Sequence, residues 1–118
     1  MLDTDIDLEK LSFKKHKGGY YYVSNLLLNK TNDFLIIQCE SLGDELLLTD
    51  NAQLLSEYDS PDINLGLLEK IVNDLTTNLN LINNHMSICK KVKGKNIKSA
   101  LSDLIKGIVI IENELEQL

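Results

Sequence analysis

Ile97, Leu101, Leu104, Ile108, Ile111, Leu115 and Leu118 follow one another at intervals of 4, 3, 4, 3, 4 and 3 residues. On an α-helix that spacing places all of them along one stripe, so residues from about 97 to 117 are predicted to be helical. Ala100, Ile105, Val109 and Ile110 widen the stripe, and around residues 108–111 the helix is apolar on almost every side. Such a helix needs more than one surface to lie against. Gly107 costs about 1 kcal/mol of helix propensity relative to alanine, and its missing side chain permits a close approach. Burial wholly within the chain's own domain would satisfy the stripe, and so would sharing it with a second subunit or a foreign partner. We expect sharing, in a homodimer whose protein interface is Ile97, Leu101, Leu104, Ile108, Ile111, Leu115 and Leu118.

The strongest β signal lies upstream. Phe34-Leu35-Ile36-Ile37-Gln38-Cys39-Glu40 and Glu45-Leu46-Leu47-Leu48-Thr49 flank Ser41-Leu42-Gly43-Asp44, the pattern of a β-hairpin with a loop of about four residues. The nearly continuous apolar runs predict strands covered on both faces. Residues 20–28, opening on Tyr20-Tyr21-Tyr22-Val23, read as a further strand. The lysine-rich stretch 14–19, ending in Gly18-Gly19, reads as a loop. A short helix over 4–11 and another capped by Asp50-Asn51, with Leu54 and Leu55 inward, are expected. Ser60-Pro61-Asp62 suits a helix start. Leu68, Ile71, Val72, Leu75 and Leu79 mark the buried face of that helix, and the asparagine-rich run 78–84 ends it. Residues 85–92 read as one more strand. The expected fold is therefore a single α+β domain over 1–118: a small antiparallel sheet built on the 34–49 hairpin, packed by helices that include the long C-terminal one.

At 118 residues and 43% apolar composition the chain can bury one core and is too short for two ordinary domains. Its net charge of −6 argues against a surface that is nucleic-acid binding or membrane binding throughout. All basic charge comes from lysine, which removes the residue best suited to bidentate phosphate or guanine recognition. The charges fall in blocks. Residues 10–30 carry five lysines and no acid, residues 31–89 carry ten acids against Lys70, and residues 90–106 carry six lysines against Asp103. Two cysteines, no apolar leader and no apolar run of membrane-spanning length predict a cytoplasmic protein.

Several chemistries can be weighed on spacing. His85 and Cys89 lie about 13 Å apart along a strand, too far for one metal ion, and neither cysteine is paired in sequence with a base. No metal or cofactor is expected. The carboxylates Asp33, Glu40, Asp44, Glu45 and Asp50 surround the hairpin. They could serve a metal-dependent hydrolase or nuclease if they converged, although Asp44 and Asp50 suit a turn and a cap. Otherwise they form an acidic surface. Lys90, Lys91, Lys93, Lys95 and Lys98, with Lys14, Lys15, Lys17 and the three tyrosines, could hold a single nucleic-acid strand. The missing arginines and the acidic total weigh against it.

Asn32-Asp33-Phe34-Leu35-Ile36-Ile37, then Gly43-Asp44, then Leu48-Thr49-Asp50-Asn51 resemble the series found in domain of unknown function family 1828, a group of bacterial and prophage proteins. The resemblance spans about residues 22–92. It implies an α+β fold and a mobile-element origin, and it carries over no catalytic residue. The function expected from all this is a non-catalytic acidic interaction module that associates through its C-terminal helix. It would bind a basic protein, as a prophage-borne inhibitor of a host defence or nucleic-acid-processing protein.

Overall fold

The 34–49 region forms the expected hairpin, and the rest of the sheet grows from its two sides. A computed structural model describes Leu8 and residues 11–17, 19–58, 64–93 and 96–117. Its elements are β1 (Lys14–His16), β2 (Gly19–Leu27), β3 (Phe34–Leu42), β4 (Glu45–Thr49), α1 (Gln53–Ser56), α2 (Leu65–Asn78), β5 (Ile82–Asn84), β6 (Ser87–Val92) and α3 (Ile97–Leu115). All strands pair antiparallel in the order β1-β2-β3-β4-β6-β5. The fold is α+β. The expected helix over 4–11, apart from Leu8 and Leu11, and the Ser60-Pro61-Asp62 start lie outside the described residues.

Three local expectations are corrected. The β3–β4 loop is two residues, not four: Gly43 takes a positive φ of 66° and Asp44 does not, the sign pattern of a type II′ turn. Residues 14–16 are a strand, because Lys14 and Lys15 pair with Tyr21 and Tyr20. Residues 85–92 are not one strand. His85 and Met86 both have positive φ (50° and 70°) and form the turn of a β5–β6 hairpin, the geometry of a type I′ turn. Neither residue favours that conformation, which asparagine-glycine supplies at little cost. The Asn83 side-chain oxygen accepts the Met86 N–H at 3.1 Å and helps hold the turn.

The core lies on one side of the sheet. Leu35, Ile37, Leu46, Leu48, Ile88 and Val92 point to that side and are buried. α3 packs on β6 and β4, α2 on β5 and α3, and α1 on β3 and β6. α2 starts at Asn64, whose side chain accepts the Leu67 N–H at 3.1 Å, and it buries Leu68, Val72 and Thr76. Gly107 does allow a close approach: a Cβ there would come within 2.5 Å of the Leu81 side chain.

Asp50 joins the sheet to the first helix. One carboxylate oxygen accepts the N–H groups of Ala52 (3.1 Å) and Ile88 (2.9 Å), and the other accepts the N–H of Leu54 (3.2 Å). Its own N–H donates to the Ile88 carbonyl. The N-cap position itself is Ala52, with a φ of 62°, and Asp50, two residues before it, supplies the side-chain acceptor for the first turn while also tying β6; Leu54 and Leu55 are buried. Removing this carboxylate orphans buried donors, at about 1–3 kcal/mol each. Asp50→Ala should accordingly lower unfolding stability by about 3 kcal/mol or more in urea titrations. At the strained turn the sign reverses. His85→Gly should raise stability by about 1 kcal/mol in the same assay, since His85 is exposed and glycine adopts positive φ without the steric cost.

Candidate interaction face

The expectation that both faces of the hairpin are covered is overturned. From Phe34 to Glu40, β3 alternates between exposed or half-buried and buried residues, the mark of a sheet with helices on one side only. Across the outer face the register sets Val23 opposite Ile36, Leu27 opposite Phe34 and Tyr21 opposite Gln38. Val23 (44%), Leu27 (44%), Phe34 (49%) and Ile36 (38%) retain large exposed areas for apolar side chains. Directly opposed residues on one face have side chains about 5 Å apart, so these four form one patch and not four scattered contacts. A bulge between Val23 and Leu27 keeps Leu27 on the same face.

Above the patch lies an open groove of about 640 Å³ lined by His16, Lys17, Gly19, Tyr20, Tyr21, Ile36, Gln38, Cys39 and Glu40. Gly19, opposite His16, contributes a position without a side chain to its lining. The His16 and Tyr21 rings meet edge to face at 6.3 Å along its wall. Charge flanks the groove on both sides, with Lys17 at the β1 end beside His16 and Glu40 on β3.

The predicted interface lies elsewhere, and the structure corrects it. Ile97, Leu101, Leu104, Ile108, Ile111 and Leu115 are all buried within the chain itself. Leu118 lies outside the described residues. The stripe is consumed by β4, β6 and the inner core, each side chain contributing about 1.5–3 kcal/mol of burial. It therefore offers no surface to a second chain. Of the residues that widen it, Ala100 is buried, Ile105 and Val109 are half-buried, and Ile110 alone is exposed.

The hairpin carboxylates do not converge. Asp33 and Asp44 sit beyond opposite ends of β3, a nine-residue strand spanning about 30 Å. Glu40 and Asp44 are exposed, Glu45 is half-buried, and Asp50 is buried and spent on backbone donors. Asp50 thus leaves the predicted acidic surface. Among the described residues no three His, Cys, Asp or Glu side chains are placed to hold a metal ion.

The lysines split as well. Those of β1 and those of β6 are separated by β2, β3 and β4, about 19 Å at the usual strand spacing. Lys90 is engaged with the Asn80 carbonyl at 3.2 Å. Of the tyrosines, Tyr20 and Tyr22 pack against the core and Tyr22 meets Phe13 at 5.5 Å, so they make no shared stacking platform with Tyr21.

A second polar cluster lies at the far end of the sheet, where the β2–β3 loop meets the end of α3. The buried Glu112 accepts the Asn29 N–H at 2.9 Å, and Glu116 accepts from the Asn29 side chain. Glu57 accepts from the Thr31 hydroxyl, and Lys30 stands 4.1 Å from the Tyr58 ring centre. Burial, with Glu116, Glu112 and Glu57 nearby, pushes the Tyr58 hydroxyl up to about 12. These contacts anchor the loop that leads into Phe34.

Both thiols are buried and unpaired. Burial, with Glu40 nearby, pushes the Cys39 thiol up to about 11, and burial also raises Cys89. No described helix is long and apolar enough to cross a membrane. No family model, curated protein or solved structure matches the chain.

The outer patch has a partial signature in the sequence. Gln38 and Glu40 alternate with Ile37 and Cys39, which is the half-buried pattern, but Phe34-Leu35-Ile36-Ile37 hides it. The thiols give a direct check. At pH 8 a thiol with a pKa near 11 is ionised to about one part in a thousand. Iodoacetamide should leave both cysteines unmodified in the native protein and label both in denaturant, as read by intact mass.

Proposed function

We propose that the chain is a non-catalytic protein-interaction module whose docking surface is the open face of its sheet. The observation that carries this reading is the contiguous patch of Val23, Leu27, Phe34 and Ile36, left exposed on a part of the sheet that no described helix covers. Apolar side chains at that exposure are individually ordinary, but four aligned across two paired strands mark a contact surface. The neighbouring charged groove supplies the polar rim that gives such surfaces their specificity. Buried thiols with raised pKa values and, among the described residues, dispersed carboxylates support binding over chemistry.

The interaction reading from sequence is kept and its location moves from the α3 stripe to the sheet. On this proposal the partner in the cell is a basic protein, drawn to a chain of net charge −6. The resemblance to a prophage-associated family adds host defence or nucleic-acid-processing proteins as the class to which that partner belongs.

The test is affinity capture from native cells with the wild type, an Ile36→Glu variant and an Ile110→Glu variant, each checked for a native circular dichroism spectrum. A charge at the centre of an apolar contact costs about 2 kcal/mol or more. Ile36→Glu should therefore lose the captured protein, while Ile110→Glu, on the exposed side of α3, retains it. Equal recovery by wild type and Ile36→Glu would refute the proposal.

A further inference from the structure

We infer that the open sheet face also receives a second copy of this chain, packed face to face about a two-fold axis that runs parallel to β2 and β3 and midway between them. This rests on the reading of that face as a docking surface and names one occupant for it. Such an axis exchanges β2 with β3 and β1 with β4 between copies, and it leaves positions along the strands unchanged. The observed register then decides what meets what. Val23 and Ile36, which oppose each other within one sheet, face Ile36 and Val23 of the other copy. Leu27 and Phe34 exchange in the same way. Every apolar residue of the patch meets an apolar residue, as the self-complementarity of a two-fold interface requires.

The charged groove supports the same axis independently. Tyr20 pairs with Cys39 and His16 pairs with Gly19, so Gly19 and Glu40 occupy the same level on neighbouring strands. The rotation carries Glu40 of one copy over Gly19 of the other, the position without a side chain. There the carboxylate enters a groove bordered by His16 and Lys17. The contact occurs twice, once in each direction. A sheet face with Lys17 on its β1 flank, a carboxylate on its β3 flank and an apolar centre between them complements itself under this rotation. Packed sheets lie about 10 Å apart, within reach of a glutamate and a lysine extended toward each other.

Charge exchange tests the register. In sedimentation velocity over a concentration series, the wild type should form a dimer. Glu40→Lys and Lys17→Glu should each shift its midpoint to about ten-fold higher concentration, because two like-charge contacts replace two opposite ones. An equimolar mixture of the two variants should associate within about two-fold of the wild type, since in the mixed dimer the changed side chains of Glu40→Lys and Lys17→Glu meet in one contact and the unchanged Glu40 and Lys17 meet in the other, so both contacts join opposite charges. Both variants lie outside the core, and circular dichroism confirms their fold. A wild type that stays monomeric at every concentration overturns the second copy as occupant, while the capture experiment with Ile36→Glu still decides the docking face. Dimerisation that neither charge variant weakens overturns the axis. A dimer that survives Ile36→Glu overturns the inference, and the face itself is again decided by the capture experiment.

Discussion

Everything in this molecule depends on where the α3 stripe is spent. The apolar stripe of α3 has to be covered, and here its described positions from Ile97 to Leu115 are covered by the chain's own β4 and β6, with α2 alongside. The described helices pack on one face of the six-stranded sheet. On the other face Thr49 and Cys89 are still buried at β4 and β6, and the β2–β3 part is open and carries Val23, Leu27, Phe34 and Ile36. The surplus of apolar surface that the sequence reveals is therefore real, but it surfaces on the strands and not on the helix.

Polar ties hold this arrangement in place at its two vulnerable joints. Asp50 satisfies the first turn of α1 and pins β6 at the same time, so the sheet and its first helix are fixed by one carboxylate. At the end of α3, Glu112 and Glu116 stand where a helix dipole disfavours negative charge. They are engaged there by Asn29 of the β2–β3 loop. An acidic helix end that costs a little locally gains contacts to the loop that delivers Phe34 to the open face. Fold and surface are coupled through that loop.

The sequence was most informative where a pattern had one physical solution. The 34–49 hairpin, the capping role of Asp50 and the span of α3 follow from apolar spacing, a turn glycine and a side chain able to accept backbone N–H groups. It was misleading where one pattern has two solutions. Phe34-Leu35-Ile36-Ile37 suits a strand buried on both faces or one open on one face, and only the number of covering helices chooses. His85-Met86 carries no turn signal, since neither residue prefers positive φ, so the β5–β6 hairpin was hidden. The docking face was legible only through Gln38 and Glu40. Assigning the interface to α3 followed from judging the helix without knowing how much sheet lay beneath it.

The central claim, that the helix stripe is inside and the Val23/Ile36 face is outside, is tested most directly by methyl NMR with a soluble paramagnetic agent, at a dilution where the chain is monomeric. The account predicts strong signal loss at the methyls of Val23, Leu27 and Ile36, with those of Leu104, Ile108 and Ile111 untouched. Attenuation of the α3 methyls with protection of Val23 and Ile36 would contradict it.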